Sequence, residues 1–485
     1  MSKININNIK KNNDIFVVEK NLIVPKKYFP EIGAEAILHK KKIRIVQNAN
    51  IDKVQYTIYY IGQYKYFDKN SNKYRYVTDK IEGVTGKRRY DDNTIIRAVK
   101  PVIKNEMTIS YASKYARKNY NLKSVPSTIW NWVGVVEIDD ESKKEIEKET
   151  KEKFSGHMGI DEVYDKKDGI IFATDLVKNT IISTKICDGK PNNEIIENEL
   201  KKIKNEGFDV ISCTKDASSL YINTIKQIFS NILLQTCIFH LIKNAIKHFL
   251  DWHRIIRNQI KIKLLPRGLK CSGNKLKQFL FRKRNLFLKR DLNKEEKVEI
   301  NKIMDGLSEF KILRNKYLKF LNIFDSDNIN EAEKRYWLFI SDPIVNEKLP
   351  KVVEMLKKYY ENKELFTYIL FEKSLWTKIR TTNQVERTNR KFRKKQKTHY
   401  RIRNKIRRER LIYFMYYFHN HNALKLTSEI KLIVVNSNII LIIFSNCEFL
   451  SKFLVLSKYI VIRIYKKIVI IETVIERVAA PQTIP

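Results

Sequence analysis

The 485-residue chain carries 94 lysines and arginines against 54 aspartates and glutamates, a formal net charge of +40, and is 43% hydrophobic. It has room for roughly three domains, and its charge points to polyanions, nucleic acid ahead of an anionic membrane surface. Five scattered cysteines without a Cys-x-x-Cys pair exclude a zinc ribbon and a disulfide framework, and the polar, Asn/Lys-rich start lacks a signal-peptide core; a reducing cytoplasm is the expected compartment.

Residues 1–90 read as a β-prone basic region. Alternation in Tyr56–Ile61 and Lys73–Val77 predicts short strands. Their tyrosines, interleaved with Lys and Arg, read first as half-buried strand residues. Stacking on nucleic acid is the alternative.

Residues 91–136 turn helical. Ile95, Ile96, Val99, Val102 and Ile103 recur at helical spacing. A second helix follows Thr108-Ile109-Ser110, and a third spans Ser124–Val133, with Pro126 in its first turn and Ser124 as a cap. Three short helices with a turn before the last predict a helix-turn-helix that binds DNA. Ser127, Thr128 and Asn131 are its base-facing candidates, with Trp130 and Val133 toward the bundle; a plain helical bundle with Trp130 and Trp132 in its core is the alternative. Residues 137–153 are charged, lack an apolar stripe, and read as a linker or a solvated helix.

From residue 154 the chain reads as α/β. Strands are expected at Asp161–Tyr164, Ile170–Thr174, Thr180–Ile186, Phe208–Thr214 and Ile232–Thr236. A helix opened by Pro191 and ended by Gly207 precedes the fourth strand, and another, Ser219–Phe229, precedes the fifth. Three strands, helix, strand, helix, strand is the order of the ribonuclease H-like fold, in which the first and fourth strands are neighbours. Asp161 and Asp216 would then face one another. Residues of about 245–375 read as a helical insertion, after which a helix bearing Glu386 returns to the sheet; the whole catalytic domain would span 154–420.

Asp161, Asp216 and Glu386, converging from two strands and a helix, make a site for hard divalent cations, whose preferred ligands are oxygens. Two such ions can clamp the attacking and leaving oxygens of a phosphodiester. Metal-dependent cutting and joining of DNA is the reaction this arrangement predicts. Glu162 and Asp165 are the alternatives to Asp161. Cys237-x-x-His240 is half of a zinc ligand set, with no second pair at convincing spacing. A buried Cys with a His that hydrogen-bonds in the core or positions DNA is expected instead. Arg254–Arg290 and Arg387–Arg410 each hold thirteen Lys or Arg. Within the second stretch Arg387, Arg390, Arg393, Arg401 and Arg403 are candidates to grip phosphates.

The motifs Gly159-Ile160-Asp161-Glu162, Thr214-Lys215-Asp216, Cys237-x-x-His240 and Thr382-Asn383-x-x-Glu386-x-x-Asn389-Arg390 together resemble the Mutator-like transposases and their prokaryotic insertion-sequence relatives, over roughly 90–420. The resemblance implies an Asp-Asp-Glu triad on a ribonuclease H-like core. It implies two Mg²⁺ ions, with Mn²⁺ as a substitute. Asp161 would bridge them, Asp216 would complete one site and Glu386 the other. It further implies double-stranded DNA as partner (the element's terminal repeats and the target), a homo-oligomer, and a nucleoid-associated protein with no membrane partner. The early zinc-binding module of some relatives has no cysteines here. A catalytically inactive, domesticated DNA-binding protein and a ribonuclease H-like nuclease are the alternative functions. Past residue 427 the chain is rich in Ile, Val and Leu, its longest uncharged run is shorter than a spanning helix needs, and the resemblance has ended. Residues 427–485 read as a non-homologous tail.

Overall fold

The computed structural model describes residues 15–104, 106–165, 168–216, 222–260, 273–399 and 405–435. The chain divides into two compact units, residues 1–139 with 430–485, and residues 140–429. The architecture is mixed α/β, and each unit has its own sheet.

The first unit is built on the long strand β4 (Val54–Asp68). It pairs in parallel with β1 (Ile15–Asn21) and antiparallel with β3 (Ala34–Asn48) and β5 (Lys73–Thr78); β2 (Lys26–Phe29) pairs with β3. Alternation sorts the side chains: Phe29, Ala36 and Tyr64 form a small core on one face, because successive residues of a strand point to opposite faces. Helices α1 (Asp92–Ile103), α2 (Ile109–Tyr120) and α3 (Pro126–Val133) follow. Asp91 caps the first and Thr108 the second, each side chain accepting from the backbone N–H three residues on. Asn121 ends α2 in the left-handed conformation at φ 53°, which Asn tolerates well.

Two local expectations are corrected here. Ser124 does not cap α3. Val125 holds that position, without a side-chain bond, and Ser124 lies buried with its carbonyl accepting from the Ser113 hydroxyl. Trp132, with Ile129 and Val133, faces the core, while Trp130 is only half-buried. The i, i+3, i+4 row of this short helix runs through Ile129, Trp132 and Val133. The first unit is completed by β6 (Val136–Ile138), which pairs antiparallel with β12 (Leu432–Val434). The start of the apolar C-terminal stretch is therefore a paired strand, bonded further by Thr85 and Arg88 to the carbonyls of Val434 and Val435. The rest of the predicted tail lies outside the described residues.

The second unit begins with α4 (Asp140–Glu152), a helix with Ile146 and Thr150 buried. Its sheet has the order β11-β10-β7-β8-β9. The strands are β7 (His157–Asp165), β8 (Asp168–Asp175), β9 (Ile181–Ile186), β10 (Ser212–Lys215) and β11 (Leu233–Thr236). The first three are antiparallel neighbours, and β10 and β11 continue the sheet in parallel. Parallel neighbours need crossover connections, and helices α5 (Asn193–Asn205) and α6 (Ile222–Ile228) make them. Both pack on the face carrying Met158, Ile160, Ile171 and Cys213.

The opposite face, carrying Val163, Ile170 and Phe172, packs into one continuous core with the helical region. That region runs from α7 (Ile238–Gln259) to α14 (Lys373–Ile379). Its centre is aromatic: the Phe249 ring lies 5.2 Å from Tyr317 and 5.9 Å from Phe320. Helices α15 (Asn383–His399) and α16 (Lys405–Ala423) then return to the sheet, where Val385, Phe392 and Ile412 join the same core. Among the described residues no helix is long and apolar enough to cross a membrane.

Candidate active site

The parallel pairing of β7 with β10 sets the site. Gly159 pairs with Thr214 and Ile160 with Lys215, so the next residue on each strand, Asp161 and Asp216, is neighbour to the other. One carboxylate oxygen from each of Asp161, Glu162 and Asp216 lies within 4.8 Å of the other two. All three are half-buried, and among the described residues this is the one cluster of three or more groups able to hold a metal ion. Burial, then the Glu162 and Asp216 carboxylates, push the Asp161 pKa up to about 7, against the opposing pull of His240. Crowded carboxylates resist ionising together. A divalent cation relieves that repulsion and takes oxygen ligands, so the donor set fits a hard metal ion.

Helix α15 closes one side of the cluster. Its approach depends on Gly159, two residues before Asp161 on the same face of β7. A Cβ there would collide with Leu176 and lie 2.8 Å from Val385 Cγ2. With Val385 seated against the strand, Asn389, one turn further along the helix, donates from Nδ2 to Asp161 Oδ2 at 2.9 Å. Glu386 lies one turn before Asn389, half-buried, with Oε1 at 3.6 Å from His240 Nε2. It is not a member of the Asp161–Glu162–Asp216 cluster. The link between them is His240, whose pKa is raised by the Cys237 thiol first and then, against burial, by Asp161 and Glu386 together.

Cys237 and His240 lie at the start of α7. The Cys237 sulfur is buried and accepts from both the backbone N–H and the hydroxyl of Thr382, each at 3.3 Å. Burial pushes its pKa up, but His240 and Thr382 outweigh that, leaving it below the ordinary thiol value. Thr382 in turn accepts the Glu386 N–H at its carbonyl. The pair thus ties the start of α7 to the start of α15, in keeping with the expected buried Cys.

Of the remaining candidates, Arg387, Arg390 and Arg393 are exposed on α15, and Arg387 bonds Gln384. Arg401 and Arg403 lie outside the described residues. At the end of the same basic stretch, Arg408 and Arg410 are buried, and Arg408 pairs with Asp168 at 2.8 Å; these belong to the fold. On α3, Ser127 and Asn131 are exposed and Thr128 is half-buried. Two relationships escaped the sequence reading. Asn389 figured there only as a motif letter. Lys215, fully buried beside Asp216, pairs with the fully buried Glu364 at 3.0 Å; a basic residue inside a β-prone run was the available signal.

Residues 311–423 match the family model described as Transposase, Mutator family. The match takes in Glu386 and Asn389 and shows the resemblance to Mutator-like transposases. No curated protein matches the chain. Among solved structures, the Drosophila P element transposase strand transfer complex aligns at a TM-score of 0.37 and 12% identity, over 69% of this chain and 92% of that one.

Proposed function

We propose that the chain is a DDE-type DNA transposase that binds the terminal repeats of its own element and cleaves and joins DNA with divalent cations, Mg²⁺ first and Mn²⁺ as substitute. The carrying observation is the juxtaposition of Asp161 on β7 with Asp216, just past the end of the neighbouring parallel strand β10, with α15 of the Mutator-matching segment bonded onto Asp161. Three antiparallel strands continued by two parallel ones support a ribonuclease H-like core over about 154–420. The short helices α2 and α3, joined by the five residues 121–125, support a helix-turn-helix within 91–136.

On this reading Asp161 and Asp216 hold the cations, with Glu386 as the third acid and Glu162 in reach of the same ions. The bound cations would polarise the scissile phosphodiester and lower the pKa of an attacking water or 3′-hydroxyl. Asn389 holds the Asp161 carboxylate in one orientation. His240, 3.6 Å from Glu386 and electrostatically coupled to Asp161, favours the charged form of both carboxylates. Arg387, Arg390 and Arg393, exposed on α15, would hold DNA phosphates, which gives affinity and register but little sequence information. Ser127, Thr128 and Asn131 would read base edges.

The test is a strand-transfer assay on paired element ends, with Asp161→Ala, Asp216→Ala and Glu386→Ala. Each variant should lose Mg²⁺-dependent cleavage and joining while still binding the ends as a homo-oligomer. Cleavage without joining by the wild-type protein would make it a nuclease, and binding without either would make it an inactive descendant. Near wild-type cleavage by any one variant removes that residue from the site.

A further inference from the structure

We propose that the outward face of the N-terminal sheet, across β2, β3, β4 and β5, is a platform for single-stranded DNA. The inference concerns the first unit alone; that the strand is DNA rests on the proposed function.

The strand registers line up the residues of this face in rows. Tyr28 pairs with Glu35 on β3, and Phe67 pairs with Tyr74 on β5. In the next row Ile37 pairs with Lys65, which pairs in turn with Tyr76. The opposite face of the same strands carries Phe29, Ala36 and Tyr64, all buried. At this end of the sheet the face is open, whereas further along β4 the same face is buried at Tyr59 and Ile61 with Val46, Ile81 and Val84. Tyr28 is 57% exposed, Phe67 46%, Tyr74 61% and Tyr76 50%, with Ile37 at 64%. Four aromatic rings, from β2, β4 and β5, therefore gather on the part of this face that the core leaves uncovered. Large apolar groups gathered on a surface mark an interaction site more often than scattered ones do.

The charge on the face selects the occupant. Lys65 Nζ lies 3.9 Å from the centre of the Tyr74 ring, and the His39 and Tyr76 rings are 4.8 Å apart. Lys26 and Lys40 share the face by register with Ile37 and Gln63. Its acid, Glu35, is ion-paired with Lys26. Open rings interleaved with cations are what an unpaired nucleotide strand requires: bases stack on the rings and phosphates meet the lysines. In a duplex the base faces are already stacked on one another and cannot use the rings. The required partner is DNA with unpaired bases, such as a frayed or nicked end.

The test uses the full chain and an oligothymidylate carrying 5-iodouracil, with photocrosslinking and peptide mapping. Because the whole chain is basic, position matters more than bulk affinity. Crosslinks are expected at Phe67, Tyr74 or Tyr76. Tyr74→Ala and Tyr76→Ala should each weaken single-strand binding about tenfold and leave blunt duplex binding unchanged. Both side chains are exposed, so the melting temperature should hold; Tyr76→Phe, which keeps the ring, should bind like wild type. Replacing Lys40 and Lys65 by Gln should flatten the salt dependence by about 0.7 per lysine. Crosslinks confined to other regions, equal losses on single strand and duplex, or a change of oligomeric state with single-strand binding intact would each overturn the proposal.

Discussion

Asn389 donates its side-chain amide to Asp161 Oδ2 at 2.9 Å, joining a helix to a strand 228 positions earlier in the chain. Asn389 is buried, and Asp161 sits in the acidic cluster that fits a divalent cation. Groups that orient a ligand are commonly worth 10–100-fold in metal affinity or activity. Asn389→Ala should therefore cut Mg²⁺-dependent cleavage by about tenfold or more with little loss of DNA binding. Asn389→Asp should be worse, since it sets a fourth carboxyl against Asp161. Wild-type cleavage by both variants would leave the contact a packing detail.

The raised Asp161 pKa has a thermodynamic sign. The folded value is about 7, above the roughly 3.9 of an unfolded aspartate. Between those values the folded state binds more protons than the unfolded one, so this group's contribution to stability falls as pH rises. Asp161→Asn removes that contribution and keeps an oxygen to accept from Asn389. The variant should match wild type near pH 4, exceed it in melting temperature from about pH 6 upward, and lose activity. Added Mg²⁺ should raise the wild-type melting temperature most at pH 8 and the variant's much less. Parallel melting curves from pH 4 to 8, with or without Mg²⁺, would refute this.

Cys237 accepts two hydrogen bonds from Thr382. Removing the sulfur strands a buried N–H and a hydroxyl, at a cost of about 1–3 kcal/mol. Cys237→Ala should lose stability on that scale and slow cleavage, because the displaced turn leads directly to Glu386. Cys237→Ser retains an oxygen acceptor and should recover most of both. A Ser variant as impaired as the Ala variant would point to chemistry particular to the thiol.

Much of the sheet is legible because its signals are local. Gly207 ends α5 at φ +80°, the apolar run Ile170–Ala173 marks β8, and Val210-Ile211 stands just before β10. Those signals suffice to set Asp161 beside Asp216. The first unit is harder to read. β3 runs fifteen residues, Ala34–Asn48, but the run His39-Lys40-Lys41-Lys42 at its middle breaks the alternation. The pairing of β6 with β12 spans most of the chain and leaves no mark in either segment. Asn389 and Lys215 are missed for a common reason. Polar residues inside an apolar pattern look solvated until their distant partners are known.

Lys215 and Glu364 carry the last prediction. Both are fully buried, with Nζ at 3.0 Å from Oε2, and Oε2 also accepts from the Thr236 hydroxyl at 2.9 Å. Neither Lys215 Nζ nor Glu364 Oε1 has a hydrogen bond of regular geometry, so the pair rests mainly on charge. The Glu364 carbonyl takes the Thr236 N–H, and the Lys215 carbonyl takes the Cys237 N–H. The pair therefore pins the helical region to the end of the sheet, next to Asp216. Breaking such a pair from one side leaves an uncompensated buried charge and costs about 3–5 kcal/mol, whereas replacing both partners is often neutral. Lys215→Met and Glu364→Gln should each destabilise on that scale in chemical denaturation followed by tryptophan fluorescence. The double variant should recover most of the loss, since the amide oxygen that replaces the Glu364 carboxylate can still accept from Thr236. Additive losses in the double variant would show that the two charges are not coupled.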